Sequence, residues 1–291
     1  MNVYPRIPIA RLIAFVEEDA PFGDITSLAV LPKIECRADI LSREDLVLAG
    51  SDEASRLFSY YGVRAESSCR DGEKIPSGSI IMTLWGDAHA ILLVERTALN
   101  LLGRMSGIAT MTNYLQEKVA SVNKGCRIAA TRKTAPGLRV LDKKAAAIGG
   151  ADPHRYSLSD AILIKDTHRA LIPLGEAVRR ARESGVYHCV EAEAESVEEA
   201  VEAALAGADI ILLDNMKPDV VKKALRALSD AGCQEKVIIE LSGGITPETI
   251  EDYAIPGVHR ISLGMLTHTV RNADFSLEIS PEPRHQQDQR P

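Results

Sequence analysis

Between residues 127 and 263, short apolar, β-branched runs alternate with stretches of good helix formers. This rhythm constrains the fold more than any other feature of the chain. The runs fall at 127–130, 161–164, 188–192, 209–213, 237–241 and 259–263. Helical periodicity occupies 174–183, 196–205, 218–230 and 247–252. Ser196 stands before Glu198 and Glu199, and acids in a first turn favour the helix dipole. Thr246 is placed to cap a helix with Pro247 in its first position. Gly185, Gly207 and Gly232 each follow a helix, where a left-handed C′ glycine is common. Strands alternating with helices imply βαβ units and a parallel sheet. Six such units point to a barrel or a doubly wound sheet.

The first third is patterned differently. An amphipathic helix is expected over 7–20, ending before Pro21, and strands over 34–42, 46–49, 64–69 and 80–84, with turns at 71–72 and 77–78. This is an α+β pattern. A long helical stretch, 88–122, links the two regions, with a break expected near Gly103 or Gly107. From residue 280 the chain is rich in proline, glutamine and charge, and is expected to be disordered.

Composition excludes several classes. With 291 residues, 45% hydrophobic and 26% charged, the chain can bury a large core and is neither a disordered nor a disulfide-scaffold sequence. A net charge of −7 argues against nonspecific nucleic-acid binding, yet leaves room for a local basic pocket. The apolar runs, such as 210–213, fall far short of the ~20 residues that span a bilayer. The first ten residues hold two prolines and no signal-peptide core, so no membrane partner is expected. Five scattered cysteines without a CxxC read as a reduced, packing set in a cytoplasmic protein.

Chemistry collects where the strands end. Thr131-Arg132-Lys133-Thr134 follows the first run and Lys165-Asp166-Thr167-His168 the second. Glu191 and Glu193, two apart on the third, share one face. The fourth ends in Asp214-Asn215, the fifth in Glu240 and Ser242-Gly243-Gly244, and the last runs into Gly264 with His268 beyond. The carboxyl ends of barrel strands carry active sites. The glycine-rich ends suit a phosphate, because glycine lets the backbone approach an anion. Arg132, Lys133, His154, Arg155 and Lys165 suggest a second anionic ligand, since guanidinium groups match carboxylates in pairs. Glu193 and Asp214 can hold sugar hydroxyls or a hydrated Mg²⁺, or can simply pair with Lys165 or Lys133. Neither nucleotide-binding glycine motif is present, nor GxSxG or HExxH. Lys165 also reads as a barrel lysine able to form a Schiff base, which leaves an aldolase-type alternative open.

Taken together, several stretches resemble the quinolinate phosphoribosyltransferase family. They are 131–139 (TRKTAPGLR), Gly149-Gly150, His154-Arg155, 163–166 (LIKD), 23–26 (GDIT), 95–100 (ERTALN), 213–215 (LDN), 242–244 (SGG) and 266–268 (LTH). The resemblance implies an incomplete α/β (TIM-like) barrel with an N-terminal α/β sandwich domain. It places residues 1–104 in the sandwich, joined by a returning segment 270–279, and residues 105–269 in the catalytic barrel. It implies transfer of phosphoribosyl from phosphoribosyl pyrophosphate to quinolinate, with Mg²⁺ as cofactor. The products would be nicotinate mononucleotide, pyrophosphate and CO₂, in de novo NAD synthesis. It also implies a homodimer, or an assembly of dimers, with shared active sites.

Carried over position by position, Arg132, His154, Arg155 and Lys165 match residues facing quinolinate. Lys133 matches a lysine near the pyrophosphate and the reacting groups. Arg96 matches an arginine given by the partner subunit. Glu193 and Asp214 match the acids near the ribose hydroxyls and the metal. Ser242, Gly243, Gly264 and His268 match the 5′-phosphate region, and His168 the end of the KDxH motif. Lys133, Lys165, Glu193 and Asp214 are the expected catalytic set. Thr167 replaces the family's usual asparagine, and Ala151-Asp152-Pro153 stands where many members have a glycine and an asparagine. Within the same fold, a relative linked to molybdenum transport, or a non-catalytic binder of phosphoribosyl compounds, is the alternative.

Overall fold

The computed structural model describes residues 6–281. In chain order, the first part comprises α1 (Ile9–Asp19), α2 (Ile25–Val30), β1 (Glu35–Ser42), β2 (Leu46–Val47), α3 (Ser51–Tyr60), β3 (Arg64–Ser67), β4 (Lys74–Ile75), β5 (Ile80–Asp87) and α4 (Ala88–Val122). Then follow β6 (Arg127–Ala130), α5 (Arg139–Ile148), β7 (Ile162–Ile164), α6 (Asp166–Arg169), α7 (Leu174–Glu183), β8 (Val190–Ala194), α8 (Val197–Ala206), β9 (Ile210–Asp214) and α9 (Pro218–Asp230). The chain closes with β10 (Ile238–Ser242), α10 (Ile250–Tyr253), β11 (Arg260–Leu263), α11 (Met265–His268) and β12 (Phe275–Pro281). Two compact units result. One runs up to Thr110 and adds Val140–Gly149 and the stretch from Val270; the other holds Met111–Arg139 and Gly150–Thr269.

The first unit is built on an antiparallel sheet of order β12-β1-β5-β3. Along β1 the side chains of Cys36, Ala38, Ile40 and Ser42 are buried, and the residues between them are more exposed, which is the period-two signature of a sheet with one covered face. β12 returns to pair with seven residues of β1, from Ser42 opposite Phe275 to Cys36 opposite Pro281. Ser280 and Pro281 therefore continue a strand instead of starting the expected disordered tail, and residues 282–291 lie outside the described ones. α4 runs unbroken through both glycines where a break was expected. Their role is close approach. A Cβ on Gly107 would lie 2.1 Å from the carbonyl oxygen of Arg271, and one on Gly103 2.8 Å from that of Ala273.

Two helices of this unit carry buried charge. In α5, Asp142, Lys143 and Lys144 are buried beside Leu141, Ala145 and Ala146. Arg104 of α4 donates twice to Asp142, from Nε at 2.7 Å and Nη2 at 2.9 Å. Lys144 donates to both oxygens of Glu53 in α3, at 2.7 and 3.0 Å. Burial pushes the Glu53 carboxyl above its ordinary range, and the Lys144 charge pulls it back.

The second unit resolves the choice between barrel and doubly wound sheet. Its six parallel strands run in the order β6-β11-β10-β9-β8-β7. From β7 to β11 consecutive strands lie side by side, and the last, β11, pairs with the first, β6. A doubly wound sheet would instead grow outward in two directions from its middle. The ring is open between β6 and β7, which is what makes the barrel incomplete. Part of that gap is taken by Asp152, whose N–H donates to Ile128 O at 2.8 Å while its carbonyl accepts from Ala130 N at 3.0 Å.

Local signals behave unevenly here. Ser196 caps α8, its hydroxyl accepting from Glu199 N at 3.1 Å. Ser196→Ala is expected to destabilise the protein by about 1 kcal/mol, read as a lower urea midpoint with unchanged slope. Gly207 and Gly232 adopt the left-handed conformation after their helices, and Gly185 does not. Pro247 begins a turn, not a helix: Thr249 N donates to Thr246 O, and α10 starts only at Ile250. All five cysteines are free, and burial pushes the Cys126 thiol up to about 12, as befits a packing residue. Among the described residues no helix is long and apolar enough to cross a membrane.

Candidate active site

A cavity of about 440 Å³ opens within the barrel unit at the carboxyl ends of its strands. The end of β6 supplies Thr131, Arg132 and Lys133, and the segment beside the gap supplies His154 and Arg155. β7 leads into Lys165 and Asp166, while β8 contributes Glu191 and Glu193. Asp214 comes from β9, Glu240 and Ser242 from β10, and Ser262 from β11. Alternation along β8 explains why both of its acids face inward, because residues two apart share a face.

One wall is basic and strained by its own charge. Burial, and then the nearby Arg132 charge, lower the proton affinity of Arg155. The Nε of Arg132 is buried and has no hydrogen-bond partner among the described residues. Arg155 donates from Nη1 to the Ala161 carbonyl at 3.0 Å, which fixes its place. Two guanidinium groups that repel, one with an unmet donor, make this wall suited to an anion.

The opposite side is acidic. Lys165 Nζ lies 3.4 Å from Glu193 Oε2, so the simple pairing expected as an alternative for Glu193 is present. Lys165 is itself half-exposed. A Schiff-base lysine is activated by desolvation or by a neighbouring cation, and here the neighbour is a carboxylate. Glu193, Glu195 and Asp214 can each offer an oxygen within 4.8 Å of the others. An all-oxygen set suits Mg²⁺, which favours carboxylates and retained water.

A polar floor lies beneath. His154 has a positive φ of 54° and its N–H donates to Asp152 Oδ1 at 2.7 Å. Its Nε2 sits 3.4 Å from Glu191 Oε2 and 3.3 Å from Glu240 Oε1. Arg260 adds a second cation 3.1 Å from Glu240 Oε2, and Ser262 donates its hydroxyl to Glu240. Arg155 N approaches His154 Nδ1 at 2.8 Å, a contact that suits the neutral ring. Burial also favours the neutral ring, but the two carboxylates at Nε2 outweigh burial and push His154 up to about 9. A pKa raised on folding stabilises fully below the ordinary value near 6.5 and loses that contribution as pH rises toward 9. Melting temperature is therefore expected to fall between pH 6.5 and 9 more steeply in the wild type than in His154→Gln, measured by scanning fluorimetry.

The expected site residues divide between those on the cavity and those around it. Arg132, Lys133, His154, Arg155, Lys165, Glu193, Asp214 and Ser242 line it. His168 stands behind, its Nδ1 accepting from Lys165 N at 3.0 Å. Gly264 leaves room for two neighbours: a Cβ there would meet Lys133 Cδ at 2.9 Å and the His268 ring at 3.1 Å. Gly243 and Gly244 both have positive φ, 89° and 64°, so the glycine-rich stretch expected to take a phosphate is an irregular loop and not the start of a helix at Pro247. Arg96 lies exposed on α4 in the first unit, outside the lining. Sequence reasoning saw Asp166, Glu240 and Ser262 at strand ends without giving any of them a role of its own, and did not single out Arg260. Period-two counting inward from the strand ends is the signal that could have placed Glu240 and Ser262 on the cavity wall.

Family comparison decides among the readings of this constellation. The family model described as quinolinate phosphoribosyl transferase, C-terminal domain, matches residues 108–278, and the N-terminal domain model of the same family matches 24–106. The chain belongs to the quinolinate phosphoribosyltransferase family. A protein of Methanothermobacter thermautotrophicus, named probable nicotinate-nucleotide pyrophosphorylase (carboxylating), is 45% identical over 267 residues, covering 91% of this chain and 96% of its own length. The human protein named nicotinate-nucleotide pyrophosphorylase (carboxylating) is 34% identical over 290 residues, 96% of each chain. The crystal structure of NadC from Streptococcus pyogenes superposes with a TM-score of 0.89 at 32% identity, covering 96% of this chain and 99% of that one. Membership in this quinolinate phosphoribosyltransferase family accounts for the two-unit fold.

Proposed function

We infer that the cavity transfers phosphoribosyl from phosphoribosyl pyrophosphate to quinolinate and decarboxylates the product, making nicotinate mononucleotide for NAD synthesis. The chain is thus a pentosyltransferase. The observation that carries this is the crowding of Arg132, Lys133 and Arg155 on a cavity that they share with Lys165, Glu193 and Asp214. Quinolinate brings two adjacent carboxylates, which answer the repulsion between Arg132 and Arg155. The pyridine nitrogen attacks C1′ with its own lone pair, so no general base is needed. The N–C1′ bond forms as the C1′–oxygen bond breaks, and pyrophosphate leaves with the electron pair. Positive charge grows on the sugar, and Glu193 and Asp214 stabilise it while holding its hydroxyls. Lys133 receives charge developing on the pyrophosphate. The bond from C2 to its carboxylate then breaks, CO₂ leaves, and the cationic ring nitrogen stabilises the electron pair until C2 takes up a proton.

Ser242, Gly243, Gly264 and His268 are assigned to the 5′-phosphate, with His168 supporting the Lys165 turn. Glu193 and Asp214 would hold Mg²⁺, through water or directly. The ion, when bound, neutralises the pyrophosphate it accompanies. A homodimer with shared sites is part of the same proposal, with Arg96 serving the partner's cavity. Phe22, Ile25, Leu28 and Val30 stay exposed around α2, an apolar stretch suited to burial against a second copy. The free cysteines suit the cytoplasm. Turnover of quinolinate, with nicotinate left untouched under the same conditions, tests the acceptor assignment. Use of nicotinate in place of quinolinate would overturn it.

A further inference from the structure

Asn215 directly follows Asp214 at the end of β9 and has a φ of 53°; among the described residues only His154 shares a positive φ without being glycine. That conformation is disfavoured for any residue with a Cβ, though least for asparagine and aspartate. Three contacts hold it. The Asn215 N–H donates to Ser242 O at 2.9 Å, carrying the sheet one step past the last ladder pair, Ser242 opposite Asp214. The side-chain amide donates from Nδ2 to Asp214 Oδ2 at 2.5 Å. The amide also covers Gly243: a Cβ there would lie 2.2 Å from Asn215 Oδ1 and 2.5 Å from its Cγ. One side chain thus grips the carboxylate assigned to the ribose and rests on the loop assigned to the 5′-phosphate.

We propose that Asn215 is a positioning residue for the phosphoribosyl donor. It occupies one Asp214 oxygen, leaving the other to the sugar, and fixes the distance between that acid and the Gly243 backbone. Ribose and phosphate belong to one molecule of fixed span, so this distance selects a pentose 5-phosphate and leaves the acceptor's binding alone. The proposal rests on the assignment of Asp214 and Gly243 given above.

Two variants separate positioning from a mere turn. Asn215→Gly keeps the left-handed backbone without steric cost and removes the amide. Asn215→Asp keeps the shape and turn preference but sets a carboxylate against Asp214. Steady-state kinetics on the full chain, varying phosphoribosyl pyrophosphate and quinolinate separately, give the readout, with thermal melting as a control for folding. Both variants should raise KM for phosphoribosyl pyrophosphate about ten- to a hundredfold, the aspartate no less than the glycine. KM for quinolinate should stay within about twofold, and Asn215→Gly should melt within a few degrees of the wild type. An unchanged donor KM, or a parallel rise in both KM values with a lowered melting temperature, would overturn the positioning role. Wild-type protein that cannot use phosphoribosyl pyrophosphate would overturn the site assignment itself, and the positioning role with it.

Discussion

Arg132→Lys is expected to lower kcat/KM for quinolinate about 10- to 150-fold, and Arg155→Lys to do the same. Both arginines line the cavity, and the buried Nε of Arg132 has no hydrogen-bond partner among the described residues. A planar guanidinium meets a carboxylate with two parallel hydrogen bonds, whereas an ammonium is a point donor that cannot match that fork. Losing one charge-assisted contact costs about 1.5–3 kcal/mol, which is the stated range in rate. The mutual repulsion of the two groups gives a second signature. Because Arg132 adds to the effect of burial in lowering the proton affinity of Arg155, removing the Arg132 charge in Arg132→Met relieves that repulsion. The variant should then gain thermal stability without ligand and lose the stabilisation that quinolinate gives the wild type. A lysine variant with wild-type quinolinate efficiency would show that the residue does not clamp a carboxylate.

Mixing two inactive proteins should restore activity. Arg96 is exposed on α4 in the first unit, while Lys165 lines the cavity of the second. If Arg96 serves the partner's cavity, a hybrid of Arg96→Ala and Lys165→Ala subunits has one site with both defects and one with neither. At full exchange half of the dimers are hybrids, so about a quarter of wild-type sites should return, by the symmetry of an isologous dimer. The parent variants alone should stay near zero. Absence of recovery, with subunit exchange verified by native mass spectrometry, would place Arg96 in its own subunit's site or in none.

Much of the second unit was legible because parallel strands read as short apolar runs between turn signals. β6, α7 and α9 fall where the pattern puts them, at Arg127–Ala130, Leu174–Glu183 and Pro218–Asp230. β8 was read two residues early. Its inner face carries Glu191 and Glu193 toward the cavity, so polar residues that belong to the strand looked like its end. α3 and α5 were missed for a related reason. Glu53 sits on the buried face of α3, and Asp142, Lys143 and Lys144 on that of α5, so charges occupy positions where apolar periodicity is sought. Pairings with Lys144 and Arg104 make this burial possible, and those partners are distant in sequence.

The site shows the same division. Arg132, Lys165, Glu193 and Asp214 were legible because they stand at strand ends, where a barrel displays its chemistry. Glu240 drew no assignment because its importance depends on His154 and Arg260, which come from other segments. The two-glycine loop was legible in composition but not in shape, since Pro247 opens a turn and the helix begins only at Ile250.

The most direct measurement of the central claim follows the carbon and the pyrophosphate together. Purified protein would be given quinolinate labelled with ¹³C in its 2-carboxylate, phosphoribosyl pyrophosphate and Mg²⁺. One labelled CO₂, one pyrophosphate and one unlabelled nicotinate mononucleotide should appear for each quinolinate consumed, and nothing when either substrate is omitted. Pyrophosphate release without labelled CO₂, or label retained in the nucleotide, would contradict the account.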